Sequence, residues 1–279
     1  MLTHEQQSGT TLADIEESVR AAVPAALFIE PRILRRVIKQ DRRLSGIGFQ
    51  MPHADVYTIK RERLLVIADR PELDLAPAAD LPPRVILLPR PEREDDALAS
   101  GEAEHLLHKY WRLLFHARVH VELESLVDAK SLDDAAVKSR VDQFGHVAFA
   151  EIRRVLVQDD LLAPQHGEID AYVEFAAVAL ELLHFAVSDR HLFFPAVRDW
   201  EDVDQLLSGD IDHAAIFQET RPAGASLIEE VRSGSSDEPS DGRLAVHRAE
   251  AVRPRRYVKL IQRAEKAANV GNNVKAAML

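Results

Sequence analysis

Residues 171–187 read AYVEFAAVALELLHFAV, and this stretch decides the fold class. Fourteen of its 17 positions are apolar, and the exceptions are Glu174, Glu181 and His184. At about 100° per residue these three fall within roughly 80° of one another on a helix, and Asp170 joins their stripe. A helix apolar on nearly every side belongs in a protein interior. Its ionisable groups then need partners, because an unpaired buried charge costs several kcal/mol. A metal ion, an arginine or water in a groove each meets that need, and the preferred expectation is neutralisation by neighbouring protein.

Working outward from this rod, helical patterns dominate. Residues 11–28 open with Thr11-Leu-Ala-Asp14, a capping-box pattern, and Pro24 is expected to kink or end that helix. Pro31 begins a second helix that stops at Ser45-Gly46. Residues 56–59 and 85–88 read as two short strands in a proline-rich, poorly helical region spanning 47–92. A long helix follows over about 102–127, another is capped by Ser131-Leu-Asp-Asp134 and ends near Gly145, and a third covers about 146–162. The apolar rod starts near Glu168. Shorter helices fit 202–207 and 211–220, divided by Gly209 and an Asp210 cap.

The fold class expected is mainly α: an irregular helical bundle with a small mixed N-terminal region and a C-terminal helical hairpin. The boundaries expected are 1–92 for the N-terminal region, 93–222 for the bundle, 223–253 for a flexible Ser/Gly/Pro/acid linker, and 254–279 for the hairpin, with the start of a longer helical array as an alternative reading of that last segment. The apolar pattern of that last segment is still running at Leu279.

Composition bounds the chemistry. The chain has 279 residues, 46% of them apolar and 29% charged, with a formal net charge of −11. That balance disfavours attraction of the whole protein to nucleic acid or anionic lipid. With no cysteine, thiolate zinc sites, iron–sulfur clusters and cysteine nucleophiles are excluded together. The polar amino terminus shows no secretory pattern, and the run at 21–29 is far short of the roughly 20 residues that span a bilayer. A cytoplasmic protein without membrane contact is the expectation. Phosphate-cradling glycine motifs, H-E-x-x-H and G-x-S-x-G are all absent from the sequence.

Three groups of residues carry candidate chemistry. On the long helix, His105, His108, His116 and His120 share an arc of about 120°, and the i, i+4 pair His116/His120 has the spacing of two metal ligands. Lys109 and Arg112 share that arc, which argues for a structural or solvated face. The second group rests on two E-x-x-H patterns, Glu102/His105 and Glu181/His184. With Glu151 they suggest half of a di-iron or di-manganese carboxylate site, with Fe, Mn or Zn as its metal. Twelve histidines and 23 glutamates produce about one such pattern by chance, and a fourth helix to complete the site is missing. Pairing with arginines such as Arg153 and Arg154 is therefore preferred, with no cofactor expected. The third group is the basic face of the second helix, formed by Arg32, Arg35, Arg36, Lys39, Arg42 and Arg43. It gives residues 31–70 a local charge of +6 and suits an anionic protein partner or, less well, nucleic acid.

Without a catalytic signature, the functional expectation is a non-enzymatic interaction or scaffold protein that binds another protein, with a metal-dependent helical enzyme as the alternative. Oligomeric state is left open by the sequence.

Overall fold

The computed structural model describes residues 10–42, 55–76, 80–91 and 98–226. The expected linker beyond residue 226, the C-terminal hairpin and Arg43 of the basic face lie outside the described residues; residues 223–226, placed in the linker by the sequence, pack on the body, with Ala225 buried in the core. Within them the fold is mainly α, with a small three-stranded mixed sheet near the N-terminus.

Helix α1 (Leu12–Ala22) is closed at its start by a capping box, in which Asp14 N–H donates to Thr11 Oγ1 at 3.2 Å and Thr11 N–H to the Asp14 carboxylate at 2.7 Å. Pro24 ends the pattern, and the residues after it form a strand, β1 (Ala26–Ile29). The helix periodicity seen beyond the proline was therefore a strand signal, carried by the apolar run Ala-Leu-Phe-Ile. Helix α2 (Pro31–Asp41) follows, with proline at its first position where no N–H is needed. Then come β2 (Tyr57–Lys60), α3 (Arg61–Ile67) and β3 (Arg84–Pro89).

The strand order is β1-β3-β2, with β1 parallel and β2 antiparallel to β3. The central β3 is apolar at four successive positions because both of its faces are covered. Ile86 and Leu88 join Ala26 and Phe28 in the main core, whereas Val85 and Leu87 join Ile29, Tyr57 and Ile59 under α2 and α3. The period of two along the strand thus separates two apolar layers.

Helix α4 (Ser100–Asp128) crosses the sheet's other face and reaches into the bundle. Tyr110 donates to the Pro89 carbonyl at 3.1 Å, and Trp111 Nε1 to the Phe217 carbonyl at 3.1 Å. At its far end, Arg84 from β3 pairs with Glu124 and Asp128, and Lys60 from β2 pairs with Asp128 at 3.0 Å. Helices α5 (Asp134–Phe144) and α6 (His146–Gln158) meet at Gly145, whose φ of +83° is a backbone state that side chains other than glycine rarely adopt.

The apolar rod is α7 (Glu168–Phe185), buried at every position from Ala171 to Leu180 and packed along α4. Each large apolar side chain it removes from water contributes about 1.5–3 kcal/mol, which α4, α5 and α6 share by covering its different sides. A short turn at α8 (Arg190–Phe193) leads to α9 (Trp200–Asp210) and α10 (His213–Glu219). Gly209 lies within α9, and the break falls two residues after Asp210. Asp212 is the cap there, accepting from Ala215 N–H at 2.9 Å. None of the described helices is long and apolar enough to cross a membrane.

Candidate metal centre

Packing α7 along α4 brings the polar stripe of the rod against the histidine face of the long helix. That face meets a second layer of helix, so His116 and His120 are only 5% and 9% exposed. Glu174 from α7 enters between them and is 3% exposed. The Nε2 atoms of the two imidazoles are 3.1 Å apart, His120 Nε2 is 3.3 Å from Glu174 Oε2, and His116 Nε2 is 3.8 Å from Glu174 Oε1. Among the described residues this is the one group of three or more such side chains with its donor atoms within 4.8 Å of one another.

The local sequence explains the convergence. His116 and His120 are one helical turn apart, so their rings project from neighbouring points of the same face. Glu174 reaches the pair because the residues flanking it on α7 are apolar, with Val173, Phe175 and Ala177 buried in their own contacts.

Behind the donors stands a layer of oriented charge. His116 Nδ1 lies 2.8 Å from Glu181 Oε2, and the other oxygen of Glu181 accepts from Arg112 Nε. Burial opposes the charge on Glu181, but Arg112 and His116 outweigh it and hold the carboxyl well below the usual carboxylate range. The same contest acts on His116. Burial disfavours the imidazolium, yet the hydrogen bond and charge of Glu181, with Glu174 beyond, raise its pKa. The His120 Nδ1 side faces Glu124 at 3.8 Å, and Glu124 is itself held by Arg84.

A cavity of about 240 Å³ opens beside this group, bordered by His120, Glu174, Glu124, Asp128 and Asp170 together with Arg42, Lys60 and Arg84. A smaller recess lined by Tyr57, Thr58, His116 and His120 adjoins Arg42 as well.

The five residues suggested as ligands by the sequence do not gather. Glu102 accepts from the Ala99 N–H at 3.3 Å at the start of α4, and His105 is exposed on the next turn. Glu151 pairs with Arg154 on the outer side of α6. Glu181 stands behind His116 and pairs with Arg112, whereas Arg154, proposed near Glu151, pairs with Glu151 itself. His184 turns to His213, with Nε2 and Nδ1 2.9 Å apart, and stacks on Phe217.

The basic face of α2 is divided. Arg36 forms a two-pronged pair with Glu72 at 3.0 and 2.7 Å, whereas Arg32, Arg35 and Lys39 are exposed. Arg42 turns inward, its Nε donating to Tyr57 Oη at 3.3 Å. No protein-family model, curated protein or solved structure matches the chain, so the reading of the site rests on its own geometry.

Proposed function

We propose that this protein is a mononuclear metalloenzyme of the zinc type, with His116, His120 and Glu174 as the three protein ligands and the fourth position open to the 240 Å³ cavity. The observation that carries the reading is the convergence of three ligand-type side chains: the two Nε2 atoms are 3.1 Å apart, and the Glu174 carboxylate lies 3.3 Å from His120 Nε2 through Oε2 and 3.8 Å from His116 Nε2 through Oε1. Four ligands at about 2.0–2.1 Å from a zinc ion in tetrahedral array are separated by about 3.3 Å, close to the 3.1 Å between the imidazoles and the 3.3 Å from His120 to the carboxylate.

Two further features support it. Metal-bound imidazoles commonly donate their second N–H to a carboxylate, which fixes the tautomer and aims the ring. Glu181 stands in that relation to His116, and Arg112 fixes Glu181 in turn. Two neutral imidazoles and one carboxylate also carry a single negative charge, which a divalent ion inside the bundle more than neutralises. Three protein ligands with one open position are the pattern of catalytic and not of structural zinc.

A bound ion supplies Lewis acidity at the cavity wall. The protein's own contribution is to bring both Nε2 atoms and the Glu174 carboxylate together in the interior. It also shields this group with the α4–α7 core and admits a small molecule from the cavity side. Residue 117, next to the first histidine, is alanine, so a proton acceptor has to come from elsewhere in the cavity, where Asp170 is one lining carboxylate.

The test is metal uptake by the purified, stripped chain. One equivalent of Zn²⁺ or Co²⁺ is expected, with intense visible Co²⁺ bands of a four-coordinate site. Uptake should fall at least 100-fold in affinity in Glu174→Gln and in His120→Ala. A folded protein that takes up no ion overturns the proposal, since a proton on His116 would then make the Arg112–Glu181–His116–Glu174 set neutral by itself.

A further inference from the structure

Three cations border the cavity, and they are not equivalent. Arg84 is committed to Glu124 and Asp128, and Lys60 to Asp128. Arg42 differs. Its guanidinium is half-buried, donates from Nε to the neutral Tyr57 hydroxyl, lies at 3.4–3.5 Å from the ring nitrogens of His166, and sits 5.5 Å from the Tyr57 ring centroid. Among the described residues no carboxylate stands within salt-bridge reach of it. Asp41, the adjacent acid, is engaged by Arg63 at 3.0 Å and by the Tyr57 hydroxyl at 2.6 Å.

Position makes this arginine informative. Arg42 and His120 border both the main cavity and the smaller recess, so the guanidinium and a donor imidazole share the same two spaces. A guanidinium presents a planar fork of N–H donors that matches the two oxygens of a carboxylate or phosphate. Half-buried and with no carboxylate of the described residues as its counter-ion, it is suited to compensation by a ligand.

Resting on the metal reading above, we infer that the substrate is a small oxyanion-bearing molecule, a carboxylate or a phosphate, whose charged end docks on Arg42. The remainder of the molecule then lies in the cavity toward His120 and Glu174. Lys60 and Arg84 are matched by Glu124 and Asp128, which leaves Arg42 as the lining cation that no described carboxylate pairs with. Tyr57 orients it, since its hydroxyl donates to Asp41 and accepts from Arg42.

The experiment uses the Co²⁺-loaded full chain, with acetate, succinate and inorganic phosphate as probes. Binding is followed by changes in the visible cobalt bands and by calorimetry, in wild type, Arg42→Lys and Arg42→Gln. The expected result is saturable binding of at least one probe, weakened about tenfold or more by Arg42→Gln, with cobalt affinity unchanged within about twofold. Arg42→Lys, which keeps the charge and loses the fork, should fall between. The preferred probe separates carboxylate from phosphate. Cobalt uptake with equal anion affinity in all three proteins, or with no anion response at all, overturns this inference alone. Failure of the wild type to take up cobalt overturns both it and the metal reading.

Discussion

Nδ1 of His116 lies 2.8 Å from Oε2 of Glu181, a contact across the α4–α7 interface between residues 65 positions apart. One nitrogen of the ring is thereby committed to a carboxylate, which leaves Nε2 directed at His120 and Glu174. Glu181→Gln keeps the size and removes the charge. Its amide can still meet Arg112 or His116 but cannot stabilise both. The expected outcome is a protein that still takes up one metal ion, with affinity reduced about 10–100-fold. Competition with a chromophoric chelator measures this, and unchanged affinity would remove Glu181 from the orienting role.

Much of this arrangement was legible in separate pieces. The stripe of Asp170, Glu174, Glu181 and His184 on an interior rod follows from helical periodicity alone, as does the ligand spacing of His116 and His120. What periodicity does not contain is which two faces meet. The charge of Arg112 on the histidine arc argued for a solvated face, and only the partner helix, by supplying Glu181, reverses that argument. The E-x-x-H patterns drew attention to Glu102 and His105, although a helix start and an exposed turn account for them. Strand β1 was hidden for a related reason. A four-residue apolar run buried on both faces has no alternation to display, and the helix before it lent it a false period.

The distinction between the two sets of residues can be measured directly. His105→Ala and Glu151→Ala should each leave metal stoichiometry and affinity unchanged within about twofold, because one side chain is exposed and the other is paired with Arg154 on the outer side of α6. Loss of the ion in either variant would transfer the centre to the E-x-x-H residues. Metal analysis after gel filtration is sufficient to decide.

Arg190 is 4% exposed, stacks over the Trp200 ring at 4.0 Å, and forms a two-pronged pair with Asp204 on α9. Removing the acid strands a guanidinium inside the protein. Asp204→Ala should therefore destabilise the fold by about 2–4 kcal/mol, allowing for the partial exposure of Asp204. The double variant Arg190→Met, Asp204→Leu should lose less than the single one, because no charge is left uncompensated. Urea unfolding curves give both values. A double variant as unstable as Asp204→Ala or more so would mean that packing on Trp200, and not charge, holds this corner together.

The pair His184 and His213 sets an acid limit on stability. Burial, followed by repulsion from His213 and Arg190, pulls the His184 pKa down to about 4, and burial lowers that of His213 as well. An unfolded histidine titrates near 6.5, so between about pH 6.5 and 4 the unfolded chain binds protons that the folded chain refuses. Stability contributed by the neutral ring is thus complete above about pH 6.5 and is lost as the pH falls towards 4. The 2.9 Å contact between His184 Nε2 and His213 Nδ1 needs at least one neutral ring as acceptor and disappears when both are charged. In His184→Leu the slope of unfolding free energy between pH 4.5 and 6.5 should be shallower than in wild type, whatever the change at pH 7.5. Parallel slopes for the two proteins would show that His184 takes up its proton as readily folded as unfolded, which its place against Phe115 and Phe217 argues against.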